Sequence, residues 1–260
     1  MHRFLAIALL ITTCSTMLVA QDDQLDNLDF EQMQLTEEAI PYFAVGVGLT
    51  GTFGWYDMAA VNDRAAQLQV PGIEAPMFQL GGDIFTAIGV VRNVRLGFSW
   101  ITGVSKSNAQ VTLPDESVVE RHLDYTNSLF NLYADYAFVP AKSLAILPGA
   151  AFGWGTQTIE TYQSVGERTW DDYVGPNGGL NTPPDDYSKL QHSVLVLTPR
   201  VNIEYGITAF LMVRAQAAYQ IQLSSGTWKG NNHATVTGVP DGINVNGFSA
   251  QFGLFVGLFN

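Results

Sequence analysis

Cysteine is almost absent from this chain of 260 residues, with Cys14 the single one. A lone cysteine excludes a disulfide framework and a thiolate metal site. Charge is scarce as well, at 14% of residues, and it is lopsided: 12 Lys and Arg stand against 24 Asp and Glu, for a net charge of −12. An acid-rich surface repels phosphate backbones, so nucleic acid is excluded as a partner. Long apolar runs are also missing beyond the N-terminus, although 47% of residues are apolar. Without about 18 consecutive apolar residues there is no spanning helix. A chain this apolar that enters a bilayer does so as strands. Zinc spacings, phosphate-cradling glycine loops and nucleophile motifs are lacking too, so no catalytic residue, metal or cofactor is assigned.

What is present begins with a leader. Residues 1–20 read as a secretory signal peptide: His2 and Arg3 form a basic start, Phe4 to Ile11 the apolar centre, and Ala20 precedes the cut. A lipobox at Ile11, Thr12, Thr13, Cys14 requires a small residue where Thr13 stands. Residues 21–40 are acidic, with Asp22, Asp23, Asp26, Asp29, Glu31, Glu37 and Glu38. Such a segment buries too little apolar surface to order itself, so it reads as a flexible arm, with docking to a periplasmic partner as the functional alternative. Residues 41–260 are read as one unit.

In that unit the period is two. Phe43, Val45, Val47, Leu49, Phe53 and Trp55 share one parity, and the other carries Gly and Thr, which suits a strand with an apolar outside and a crowded inside. Seven later segments repeat the pattern on Phe78–Val90, Val94–Val104, Phe130–Phe138, Leu144–Trp154, Leu195–Tyr205, Leu211–Ile221 and Phe248–Leu258. Eight strands is an even number, as a single-chain bacterial barrel requires. Short turns at Arg92-Asn93, Pro140 to Ser143 and Gly206 to Thr208 alternate with long loops near Asp57 to Ala75, Lys106 to Val118, Glu160 to Leu190 and Ser225 to Asn244. The fold expected is all-β: a closed, antiparallel, eight-stranded, up-and-down transmembrane β-barrel, its short turns in the periplasm and its loops outside. In the fourth segment Leu123, Tyr125 and Leu129 take the opposite parity to Phe130, for which a β-bulge near Asn127 is expected.

Charge and aromatics give the candidate site. Asp83, Arg95, Asp135, Arg200, Glu204 and Arg214 all fall on the parity opposite the apolar face, as they must if Arg or Lys facing lipid costs about 2–4 kcal/mol. They are expected to form a lumen charge network that plugs the barrel, with Asp135 and either Asp83 or Glu204 lying between Arg200 and Arg214. Trp55, Trp100, Trp154 and Tyr219 lie outward near the loops, and Phe43, Tyr136, Phe138 and Tyr205 outward near the turns, two girdles at the membrane interfaces. His122, flanked by Glu120 and Asp124, and His192 are expected inward at the loop rim, with His233 in the last loop. Asp171, Asp172, Asp185 and Asp186 offer hard oxygens for calcium.

By this pattern, over roughly residues 41–260, the sequence resembles the small eight-stranded outer-membrane barrels of the outer-membrane protein A and X type. The aromatic-rich last strand, with Phe248, Phe252, Phe255 and Phe259, departs from the family in ending on Asn260 instead of an aromatic residue. The resemblance implies an outer-membrane location, outer-membrane lipid as surroundings and the barrel-assembly machinery as a partner in biogenesis. It does not imply one activity. A structural or surface-interaction role through the external loops is the first expectation, a narrow gated pore for small solutes the second, and a lipid-modifying enzyme the third.

Overall fold

The computed structural model describes residues 42–164, 186–231, 233–240 and 242–259. The leader, the acidic arm and Asp171, Asp172 and Asp185 lie outside the described residues, as does the side chain of Asp186. The chain order is β1 (Ala44–Tyr56), α1 (Ala59–Leu68), β2 (Met77–Ala87), β3 (Val94–Thr112), β4 (Val118–Tyr136), β5 (Phe138–Ala141), β6 (Leu144–Ser164), β7 (Asp186–Gly206), β8 (Leu211–Ser225) and β9 (Gly247–Phe259). Each long strand pairs antiparallel with its neighbour, β4 passes its hydrogen bonds on to β6, and β1 pairs with β9 from Ala44↔Phe259 to Tyr56↔Gly247. The sheet is therefore closed on itself as an eight-stranded up-and-down barrel. The four-residue β5 is only a lip folded against the base of β6, and it holds Phe138, which the sequence pattern assigned to the preceding strand.

Alternation of burial follows the parity of the sequence. Phe43, just before β1, and Val45, Val47, Leu49, Phe53 and Trp55 on it are exposed, while Ala44, Thr50 and Thr52 are buried. In a barrel the buried parity is the lumen and the exposed one the outer wall. Glycine on the inward parity makes space for larger inward neighbours: a Cβ on Gly97 would lie 2.2 Å from the Tyr133 ring.

Strand lengths are unequal, and this departs from the sequence reading. β3 and β4 have 19 residues and β6 and β7 have 21, against 13, 11, 15 and 13 for β1, β2, β8 and β9. At about 3.3 Å per residue the four long strands rise roughly 20 Å above the others. The segments Lys106 to Val118 and Glu160 to Leu190, read as loops, thus begin and end as strand; of the first only residues 113–117 form the connection. Along this rise the polarity of the two faces reverses. Below, apolar residues face out; above Trp100 and Trp154, the outward residues become Thr102, Lys106, Asn108, Glu120, His122, Glu160 and Tyr162, and apolar residues appear inward at Val111, Val119, Leu123, Tyr125 and Ile159, beside buried Asn127, Gln157, Thr161 and His192.

This reversal removes the expected bulge at Asn127. The β3–β4 ladder runs without a shift from Val94↔Tyr136 to Thr112↔Val118, and the β4–β6 ladder is equally regular. Leu123, Tyr125 and Leu129 keep the inward parity of Asp135 and are apolar because the upper interior is apolar. Register shifts occur elsewhere, at Leu195/Val196 between β7 and β8 and in the β5 lip.

The upper interior is apolar where the loops fill it. The segment after β1, read as an irregular loop, contains α1. Ala59, Ala60, Ala65, Ala66 and Leu68 favour helix, Asp57 Oδ1 accepts the Ala59 N–H at 3.0 Å, and Gln69 ends the helix in the left-handed region at φ 59°. Its Val61 and Ala65 pack with Tyr56, Val70, Ile73, Leu123, Tyr125, Ile159 and Ile243 into one buried cluster. Asn62 fastens the return of the chain by exchanging two bonds with the Ile73 backbone, at 2.7 and 3.2 Å.

Candidate functional site

Three arginines and three carboxylates meet in the lower lumen. Two contacts are set by register alone, since Arg95 sits opposite Asp135 across β3–β4 and Glu204 opposite Arg214 across β7–β8. A third needs a missing side chain: Asp135, Gly149 and Arg200 lie in one row across β4, β6 and β7. A Cβ on Gly149 would fall 2.1 Å from Asp135 Oδ1, so glycine there lets the carboxylate reach past its own neighbour to the next strand but one.

The resulting network is continuous. Arg200 donates to both Asp135 oxygens, Nε at 2.9 Å and Nη2 at 2.7 Å, the bidentate geometry of the strongest such pairs. Arg95 donates to Asp135 at 2.6 Å and to Glu204. Arg214 donates from Nε to Glu204 at 2.6 Å and from Nη1 to Asp83 at 2.8 Å. Tyr133 donates to Asp83, Tyr42 donates to Glu204 Oε2 at 2.9 Å, and Asn202 donates to Asp135 at 3.3 Å. Aromatic faces complete the shell: Arg200 lies 3.5 Å from the Tyr133 ring centre, Arg214 4.1 Å from Phe255, and Arg95 4.7 Å from Phe85.

The six charged residues range from 0% exposed for Arg95 to 6% for Arg200. Desolvating a single unpaired charge costs several kcal/mol, but here formal charges cancel. The expectation that Asp135 lies between Arg200 and Arg214 is corrected on one point: Asp135 joins Arg200 to Arg95, and Glu204 then joins Arg95 to Arg214. Asp135 and Arg214 are linked only through two intermediates.

Above the ions the lumen narrows to a cavity of about 30 Å³ among Thr52, Ser99, Asn131, Thr198, Gln216 and Gln251, room for about one or two waters. Ile101, Leu129, Val194, Val196 and Val245 then form an apolar layer. Over it, His192 is bonded through Gln157 to Tyr125, each link 2.5 Å, and its ring stacks on Trp228 at 3.9 Å. Burial pushes the His192 imidazole below its usual 6.5. Trp228 belongs to the last loop, which folds into a small hairpin: Lys229 pairs with Gln191 on the edge of β7 and with Thr235 on its other side.

The other sequence candidates are dispersed. His122 is not inward; it lies on the outer wall, stacked on Tyr162 at 4.3 Å and 3.4 Å from Glu120, because strand parity continues unbroken past Asn127. His233 is exposed at the hairpin turn. Trp55, Trp100, Trp154 and Tyr219 are exposed on the outer wall towards the loops, and Phe43, Tyr136, Phe138 and Tyr205 towards the turns. Phe98, Phe130 and Trp154 form an aromatic group within 6.1–6.4 Å of one another, Phe130 stacked on both of the others. Sequence reasoning missed Tyr42, Phe85 and Phe255 as members of the lumen site. Phe85 and Phe255 are aromatic residues on a parity otherwise small or polar, and that was the available signal.

No protein-family model and no curated relative matches the chain. Solved structures do. The attachment invasion locus protein Ail of Yersinia pestis, in complex with the heparin analogue sucrose octasulfate, aligns at 8% identity over 85% of this chain and 99% of that one, with a TM-score of 0.33. CarO of Acinetobacter baumannii aligns at 14% identity over 84% and 98%, TM-score 0.36, and the outer membrane protease OmpT of Escherichia coli at 10% over 84% and 95%, TM-score 0.29. Scores this low carry no argument; the architecture rests on the strand pairing itself.

Proposed function

We propose that the chain is a non-conducting outer-membrane barrel whose role is structural or is exercised by its folded external surface. The observation that carries this reading is the sealed interior, with the buried charge layer below and the apolar layer under α1 above. An ion crossing this path would have to break several charge-assisted bonds of the network, each stronger than a neutral hydrogen bond. Location in a membrane is supported by the outer wall, where exposed Leu, Val, Ile and Phe form a belt with Trp at its loop-side rim. Export would proceed through the 1–20 leader, with lipid around the belt and the barrel-assembly machinery as the partner in folding. On this reading the dome of α1 and the last hairpin face outside the cell, which the alternation of short turns and long loops supports.

A catalytic role is not part of this reading. Among the described residues neither His122 nor His192 is hydrogen-bonded to a serine or threonine hydroxyl; their side-chain partners are Glu120, Tyr162, Gln157 and Trp228. The test is single-channel recording of refolded protein in a planar bilayer. Silence at both polarities is expected from the parent; regular conductance steps would replace this reading with the narrow pore.

A further inference from the structure

Two hollows meet on the outer wall at β6, β7 and β8. The lower, about 480 Å³, is a groove bounded by Phe130, Trp154 and Leu195 and rimmed by hydroxyls such as Thr156 and Ser224. The upper, about 620 Å³, is lined by Lys189, Lys229 and His233 with the amides of Gln191 and Asn231. Ser193 and Gly226 line both, so the two adjoin. Apolar below and cationic above, in that vertical order at the rim of the belt, is the profile of an anionic lipid.

Charge supports the match. The chain has twice as many acidic as basic residues, 24 against 12, yet among the described residues no carboxylate lines the upper hollow. Lys189 is held by Glu160 at 2.9 Å, while Lys229 has no ion pair among the described residues. Its backbone is fixed all the same: the hairpin bonds Gln191 and Lys229 to each other at 2.8 and 2.9 Å. Gln191 stands four residues above Leu195, about 13 Å along the strand, and a lysine stem leaning down covers much of that distance. Ser193 stands on the same outward parity midway between them.

We propose that this face binds the phosphate of a phosphorylated outer-leaflet lipid between Lys229, Lys189 and Ser193, with an acyl chain lying along Trp154 and Leu195. The inference rests on the membrane reading above, which sets the loops in the outer leaflet. Both lysines are exposed or half-exposed, so replacing them leaves the barrel intact.

The test titrates refolded protein in neutral detergent with diphosphoryl lipid A, with the same lipid after removal of its phosphates, and with inorganic phosphate. Lipid A is expected to bind at least tenfold more tightly than either of the others. Lys189→Gln/Lys229→Gln is expected to lose at least tenfold for lipid A, Trp154→Ala to weaken lipid A but not inorganic phosphate, and Lys142→Gln on the opposite rim to bind as the parent does. Equal binding of dephosphorylated lipid, equal binding of inorganic phosphate, or equal losses in Lys142→Gln and the double variant would each overturn the proposal. Heat-dependent gel migration and liposome insertion of the same samples report the membrane reading separately: a parent that inserts but fails these comparisons refutes the lipid site alone, and one that does not insert refutes both.

Discussion

Asp135 is the carboxylate on which the lower lumen turns, and replacing it with alanine separates a dry plug from a wet one. Its two oxygens accept from Arg95 at 2.6 Å, from Arg200 at 2.9 and 2.7 Å, and from Asn202 at 3.3 Å. Arg95 retains Glu204 in Asp135→Ala, but Arg200 loses its only ion pair among the described residues and keeps just the face of Tyr133. A neutral layer becomes one with a net positive charge. Breaking a buried pair by removing one partner costs about 3–5 kcal/mol. With a urea m-value of about 2 kcal/mol/M, the unfolding midpoint should drop by roughly 1.5–2.5 M. The assay is reversible urea unfolding in lipid vesicles followed by tryptophan fluorescence. Asp135→Ala/Arg200→Ala restores neutrality and should recover part of the loss, a coupling of about 1–3 kcal/mol, whereas Asp135→Ala/Arg214→Ala should recover little, because those two do not touch. A single variant that unfolds where the parent does would mean that water solvates the layer, and the sealed-lumen argument would fail with it.

Further perturbations probe other parts of the same structure. Gly149→Ala places a methyl against the Asp135 carboxylate, 2.1 Å away before relaxation; overpacking of this kind costs about 1–3 kcal/mol, read by the same unfolding assay. Ala65→Asp, at a residue 0% exposed, should detach α1 and open residues 69–76 to protease while heat-dependent gel migration stays as in the parent. For His192 the folded imidazole titrates below 6.5, so the unfolded chain binds the proton first. Stability conferred by the neutral ring is then whole above pH 6.5 and falls as pH drops towards the folded value; His192→Gln should flatten that part of the profile, and an unchanged profile would refute the burial argument. Polarity probes should report lipid at Leu132 and Val213 and water at Asn108 and Tyr162, although all four face outward; lipid at Asn108 would refute the reversal of faces.

What the sequence made legible was the barrel wall within the apolar belt. There a single rule, apolar outward, governs every strand, and period-two alternation reads it directly. The same rule hid the upper strands. Above Trp100 and Trp154 the outer wall turns polar, with Lys106, Asn108 and Glu120 facing out while Val111, Val119 and Leu123 face in, and an observer following apolar residues changes parity without noticing. The false bulge at Asn127, the inward placing of His122 and the overlong loops are one error with one cause. Helix α1 was hidden for a different reason: its ten residues bury only Val61 and Ala65, too weak a stripe to stand out beside Asp57, Pro71 and Gly72. The lumen charges were visible as a set on one parity, but their pairing was not, because Asp135 reaches Arg200 across a strand whose contribution at that point is the empty space of Gly149.

The reversal of polarity also acts as a ruler for depth. Sliding the barrel inward by one strand repeat, about 7 Å, would draw Thr102, Ser128 and Thr156 into the acyl chains and bring Lys106, Asp124, Glu160 and Lys189 to their edge. Charged residues on a barrel's lipid face cost from about 0–1 kcal/mol near the interface to about 2–4 for Arg or Lys at the midplane. Sliding outward by the same step would strand Trp55, Trp100 and Trp154 in water, away from the interface they favour. In the membrane proposed above, the wall would therefore have one resting height, held from both sides, and the tall blade of β3, β4, β6 and β7 would keep a fixed clearance above the surface whatever the lipids around it do laterally.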